Sequence, residues 1–238
     1  MLTKLSQWFF PNICCLCGHY STTGRDLCGT CDSVLPWISD RCYRCGLPLD
    51  AVYPGTESIR CLQCEQSPPP FDRLCTVFSY DPPVTKLTRG LKFGNQLVYG
   101  RILGELFADK VIDRWYKNTP FPEAIIPVPL HEKRLQRRGF NQSVELLVPL
   151  LKRYSIPLVL EACSRVRKTT PQSQLDKSSR KRNLKNAFQV SQSYTSFPYE
   201  HIAIMDDVVT TGSTVRALSE VLKAVGVQQI DIWCICRT

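Results

Sequence analysis

The sequence predicts an α/β chain in which a helix-covered, mostly parallel sheet follows a small cysteine-rich module. Three observations predict it. Nine of the thirteen cysteines fall between Cys14 and Cys64, and Pro68, Pro69 and Pro70 close that stretch. Beyond them strand-like and helix-like patterns alternate, as parallel strands joined by crossover helices require. Near the end, the apolar run Ile202-Ala203-Ile204-Met205 leads through two acids and a hydroxyl-rich turn into a helical pattern. Sheets of this kind carry their ligand sites at the carboxyl ends of the strands.

Composition narrows the class further. With 238 residues, 43% apolar and 21% charged, the chain can bury one sizeable core plus a smaller module, and disordered or fibrous proteins are excluded. No run reaches the roughly 18 apolar residues of a membrane span. Trp8-Phe9-Phe10 is stopped by Pro11 with no small-residue cleavage site after it, so neither a span nor a secretory leader is expected. The net charge of +9 is concentrated: from His131 to Lys185 there are 14 Lys and Arg against 4 Asp and Glu, a balance of +10. The rest of the chain carries −1, so this segment is a cationic patch whose partner should be a small-molecule phosphate, nucleic acid or both.

We expect the domain boundary at the prolines, giving 1–70 and 71–238. In the first part, Cys14-Cys15-Leu16-Cys17-Gly18 and Cys42-Tyr43-Arg44-Cys45-Gly46 are each followed by another C-x-x-C, Cys28/Cys31 and Cys61/Cys64, which implies two similar halves. Thiolates two residues apart can turn back on one ion, and the glycine eases that turn. Eight ligands suit two structural Zn²⁺ sites, Cys14, Cys17, Cys28, Cys31 and Cys42, Cys45, Cys61, Cys64; cross-braced pairing satisfies the same spacings. Clustered C-x-x-C pairs in a cysteine-poor remainder fit a reduced, cytoplasmic protein rather than a disulfide scaffold. Cys15 stands outside the pattern, and Cys75, Cys163, Cys234 and Cys236 sit in apolar runs as core residues.

In the second part, strands are predicted over 74–80, 124–129, 158–163, 201–205 and 229–235, and helices over 96–116, 141–154 and 213–224. The turn after the fourth of these strands reads Asp206-Asp207-Val208-Val209-Thr210-Thr211-Gly212-Ser213-Thr214. Its backbone N–H groups, the hydroxyls of Thr211, Ser213 and Thr214 and the following helix start can hold a phosphate. Asp206 and Asp207 can accept hydrogen bonds from sugar hydroxyls and help hold Mg²⁺. Neither a Walker loop nor a dinucleotide glycine pattern is present.

This stretch resembles the phosphoribosyl diphosphate (PRPP) motif of type I phosphoribosyltransferases. The resemblance implies a parallel sheet of that type, catalytic positions at Asp206, Asp207 and Thr210, and a 5′-phosphate cradle at Thr211, Gly212, Ser213 and Thr214. Purine-salvage members carry an acid where this chain has Thr210, which disfavours hypoxanthine or guanine as acceptor. By the same resemblance Val128, Pro129 and Leu130 form the diphosphate-binding turn, followed by Arg134, Arg137 and Arg138. The basic stretch with Gln174, Arg180 and Asn183 corresponds to the loop that closes over substrate. Closure of that kind excludes water and offsets the charge of departing diphosphate.

The order C-x-x-C repeats, P-V-P-L, R-R-G-F-N-Q-S, R-x-R-N-L-K-N-A-F and D-D-V-V-T-T-G-S-T over essentially the whole chain resembles the ComF/GntX family of competence and DNA-utilisation proteins. That resemblance implies a cytoplasmic PRPP-binding protein of phosphoribosyltransferase type with a double zinc ribbon, acting in the use of imported single-stranded DNA. PRPP with Mg²⁺, single-stranded DNA and DNA-uptake or recombination proteins are the partners it implies. Two activities fit: transfer of a ribosyl group to an acceptor, or a non-catalytic nucleic-acid- or protein-binding adaptor that keeps the fold.

Overall fold

The computed structural model describes residues 12–38, 41–49, 59–166 and 187–238. The two cysteine knuckles are built alike. Gly18 N–H donates to the Cys14 carbonyl at 2.8 Å and Gly46 N–H to the Cys42 carbonyl at 2.9 Å, and each turn is clasped by an isolated bridge, Ile13 with Tyr20 and Arg41 with Pro48. The second C-x-x-C of each half starts a short helix: Cys28 precedes α1 (Gly29–Ser33) and Cys61 precedes α2 (Leu62–Gln66). Gly46 is required twice over, since its φ is +70° and an added Cβ would stand 2.4 Å from Leu74 Cδ2.

The sheet follows. β1 (Arg73–Ser79) leads through α3 (Val84–Gly94) and α4 (Leu97–Lys110), which a π-type turn continues over Val111–Trp115, to β2 (Ala124–Pro127). Then come α5 (Glu132–Arg138), α6 (Gln142–Leu151), β3 (Cys163–Arg165), β4 (Phe188–Val190), β5 (His201–Val209), α7 (Ser213–Lys223) and β6 (Gln229–Arg237). Four strands form a parallel sheet in the order β1-β6-β5-β2, while β3 and β4 pair antiparallel beside it.

Alternation along each strand sends Met205, Trp233 and Ile235 to one face with Phe107 of α4 and Leu146 of α6. Ile204, Ile232 and Cys234 go to the other with Leu218 and Leu222 of α7. Both faces are covered, which is why 230–236 is almost unbroken apolar sequence. Each fully buried large side chain contributes about 1.5–3 kcal/mol. Cys75, Cys163, Cys234 and Cys236 are buried as expected.

The open edge of β1 is covered by the cysteine-rich part. Ile38 N–H donates to Val77 O at 3.0 Å, Ser79 N–H to Pro36 O at 3.0 Å and Leu74 N–H to Tyr43 O at 3.1 Å, so the ribbons occupy an edge that would otherwise template association. At the amino-terminal end of the sheet, Asp231 Oδ2 meets Arg73 Nη2 at 2.9 Å and His201 Nε2 at 2.9 Å, and accepts from Tyr116 OH at 2.6 Å.

Two expectations are corrected, and two helices are added. Only Leu158 of the expected strand 158–163 joins the parallel sheet, as a single bridge to Ile125; Leu160 is exposed, and Cys163 opens the antiparallel pair instead. β5 does not stop at Met205, because β6 runs beside it and pairs Asp206 with Cys234 and Val209 with Arg237, so both acids lie within the strand. α3 and α5 are absent from the predicted elements. For α3 the signal is present: Val84, Leu87 and Leu91 recur at helical spacing, two prolines precede it and Asn95 ends it at φ +50°.

Candidate functional site

The four Sγ atoms of Cys14, Cys17, Cys28 and Cys31 lie within 4.8 Å of one another, and so do those of Cys42, Cys45, Cys61 and Cys64. The pairing is therefore sequential rather than cross-braced. Tetrahedral Zn–S bonds of about 2.3 Å space sulfurs by about 3.8 Å. Cys17 to Cys28 and Cys45 to Cys61 both measure 3.7 Å, so the donor sets fit structural Zn²⁺. Cys15 belongs to neither group.

The second site lies at the carboxyl end of the parallel strands. Asp206 and Asp207 are buried in the carboxyl-terminal half of β5, and Gly212, with φ +73°, turns the chain into α7. Thr211 Oγ1 and Ser213 Oγ are 2.7 Å apart, and Ser213 N–H faces Thr211 Oγ1 at 3.4 Å. Asp206, Thr210, Gly212, Ser213 and Thr214 line one concavity. Beside it, Val128 N–H donates to Met205 O at 2.8 Å, which seats Val128 against β5 at the head of the Val128–Leu130 turn. Asn141 completes the seat: its Nδ2 donates to Val128 O at 3.1 Å while its Oδ1 caps α6 through Ser143 N–H at 3.0 Å.

Charge around the acids comes from three elements. Lys92 Nζ of α3 lies 2.6 Å from Asp207 Oδ2. Burial alone would lower the Lys92 pKa, but the Asp207 carboxylate outweighs it and holds the amine above its ordinary value. Burial, reinforced by the neighbouring Asp207 charge, pushes Asp206 up to about 7 against the opposing pull of Lys92. Burial lowers the Arg138 pKa while Asp207 draws it up, and the guanidinium lies 5.8 Å from the Phe93 ring. Burial, with Arg134 adding to it, pushes Arg165 of β3 down to about 10, and Asp206 opposes. A buried carboxyl held near neutrality beside a second acid suits an incoming group that supplies hydroxyl donors or a divalent cation.

The structure thus brings together Asp206, Asp207, Thr210 to Thr214, Val128 to Leu130 and Arg138. Gln174, Arg180 and Asn183 lie outside the described residues. Lys92 and Arg165 are additions. The helical spacing of α3 could have pointed to Lys92, whereas nothing local distinguishes Arg165 from Arg167 or Lys168 in the same basic run.

A helix-covered parallel sheet with an acidic pair and a hydroxyl turn at its carboxyl end, fronted by two four-cysteine knuckles, is the layout the phosphoribosyltransferase-type resemblance implies. The double zinc ribbon domain model matches residues 5–65. The DNA utilization protein YhgH of Escherichia coli (strain K12) is 36% identical over 230 residues, covering 96% of this chain and 98% of that one. Its Shigella flexneri counterpart is 37% identical over the same coverage. Competence protein F of Haemophilus influenzae is 34% identical over 231 residues, again 96% and 98%. The chain belongs to the family of DNA utilization protein YhgH and competence protein F. A purine phosphoribosyltransferase from Pyrococcus horikoshii overlays 58% of this chain and 81% of its own at a TM-score of 0.34 and 21% identity, a likeness too loose to carry function.

Proposed function

We propose that the protein binds PRPP, or a related phosphoribosyl ligand, with Mg²⁺ at the carboxyl end of β5, and serves the use or processing of imported single-stranded DNA. The names of its relatives, DNA utilization protein and competence protein F, support the second half of that reading. One observation carries the first half: Asp206, with Asp207 next to it in β5, shares a single concavity with Thr210, Gly212, Ser213 and Thr214 at the start of α7. In this reading Asp206 and Asp207 hold the ribose hydroxyls and the cation, and Thr211 to Thr214 hold the 5′-phosphate. The Val128–Leu130 turn and Arg138 receive the diphosphate, with Gln174, Arg180 and Asn183 in the closing segment. Bound Mg²⁺ would offset charge on the departing diphosphate as its bond to the ribosyl carbon breaks and an acceptor nucleophile bonds to that carbon. Lys92, 2.6 Å from Asp207 Oδ2, holds that side chain in place in the meantime. The chain divides, in the same reading, into a zinc-ribbon module over 1–70 and the ligand-binding domain over 71–238.

The second activity, a non-catalytic adaptor, draws on α5, whose exposed or half-exposed Lys133, Arg134, Arg137 and Arg138 form a cationic stripe beside the site. Calorimetric titration of PRPP with Mg²⁺, followed by an acceptor screen for diphosphate release, tests both. Absence of PRPP binding refutes the ligand assignment, and binding without release for any nucleophile favours the adaptor. Among the described residues no helix is long and apolar enough to cross a membrane.

A further inference from the structure

We infer that Arg237 couples the second four-cysteine group to the hydroxyl turn, so that metal at Cys42, Cys45, Cys61 and Cys64 sets the order of the ligand loop. Arg237 closes β6 and is only 7% exposed. Its Nε donates to the Cys45 carbonyl at 2.9 Å, and its Nη1 donates to the Val209 carbonyl at 3.2 Å and also to the carbonyls of Thr210 and Thr238. One planar guanidinium therefore spans a metal ligand and the first residue of the turn. Its fork geometry transmits position in a way that a flexible amine does not.

The knuckle end of this link is stiff for independent reasons. Gly46, next to Cys45, is wedged against Leu74 of β1, and Arg44 Nε donates to Phe71 O at 3.1 Å. With metal bound at its Sγ, the Cys45 carbonyl would be fixed both by that bond and by this packing. Four thiolates on one divalent ion would also leave a net negative cluster. Losing the metal would free the Cys45 carbonyl that Arg237 holds. The first four-cysteine group is anchored on α4 instead, through Arg25 to Asp109 at 2.9 Å and Arg101 to Asp26.

The effect on ligand affinity rests on the phosphoribosyl reading of the turn, whereas the effect on the turn's order does not. The test is hydrogen exchange on the full-length, zinc-loaded protein, following peptides that cover 209–215, with zinc content and Mg²⁺-PRPP affinity measured on the same samples. The variants are Arg237→Lys, Cys61→Ser and Cys28→Ser. Arg237→Lys should keep both zinc ions yet speed exchange in the turn by about tenfold or more, since hydrogen bonds from a buried charge are lost. Cys61→Ser should do the same, and Cys28→Ser should leave the turn at the wild-type rate. Wild-type exchange in Arg237→Lys overturns the coupling, as does equal loosening by Cys28→Ser and Cys61→Ser. Should Cys61→Ser unfold the chain, Arg237→Lys decides alone. If the turn loosens in Arg237→Lys while the wild type binds no PRPP, the coupling stands and the ligand assignment fails.

Discussion

Replacing Asp231 by Asn separates the sheet's stability from its ligand site. The Asp231 side chain is 0% exposed and Arg73 only 5%, and one oxygen of Asp231 serves Arg73, His201 and Tyr116. Burial would raise the Asp231 pKa, but hydrogen bonds from His201 and Arg73 and the Arg73 charge hold it below the usual carboxylate range. Asn fills the same volume but removes the charge, leaving the Arg73 guanidinium buried without a counter-ion. Breaking a buried pair in this way costs about 3–5 kcal/mol. For a chain of this length that is about 6–20 °C in Tm. The sign with pH follows from the depressed pKa: Asp231 contributes its stability fully above the ordinary value of about 4 and loses it as pH falls through the lower folded value. Urea unfolding at several pH values should therefore show a gap between wild type and variant that holds from about pH 8 to pH 5 and narrows only in stronger acid. Because the network sits at the amino-terminal ends of β1, β5 and β6, PRPP affinity measured well below Tm should be unchanged. A loss under about 1 kcal/mol would refute the account of the buried charge, and a gap that widens in acid would refute its sign.

Three further outcomes are expected. Reduced, freshly purified protein should contain close to two zinc ions per chain, one for each four-cysteine group, and metal analysis finding none would refute the ribbon chemistry. Asp206→Asn combined with Asp207→Asn should weaken Mg²⁺-PRPP binding by about tenfold to a hundredfold, from lost charge-assisted hydrogen bonds, with the circular dichroism spectrum intact. Unchanged affinity by calorimetry would remove these acids from the site. Single-stranded DNA should bind with a log affinity falling by about 0.7 per neutralised phosphate per log unit of salt, and Mg²⁺-PRPP should compete with it. Anisotropy showing salt-insensitive binding, or none at low salt, would leave the cationic stripe to the diphosphate alone.

What could be read from the sequence was chemistry whose partners are neighbours in the chain. Each C-x-x-C-G knuckle, and the run from Asp206 to Thr214, places its functional groups within one turn of backbone, so spacing alone states the geometry. The extra length of β5 was hidden because its register with β6 is a tertiary property, and two consecutive acids look like a strand's end until a neighbour pairs with them. Lys92 was hidden for the same reason. It stands 115 positions from Asp207 in the chain and 2.6 Å from it in space. Leu158 shows the converse, an apolar run that satisfied the strand pattern while only one residue found a place beside β2.

The residues that escaped are the ones that connect modules. Lys92 joins α3 to the acidic pair, and Arg237 ties the second knuckle to the hydroxyl turn. Each is a long cationic side chain, the type that a sequence most often places in solvent, and each is drawn inward by carboxylates or carbonyls contributed by another element. A metal-ribbon module that had merely been appended would leave no such link. The Cys45 carbonyl instead accepts from the same buried guanidinium that holds Val209 and Thr210, so the ribbon forms part of the wall on which the hydroxyl turn is built.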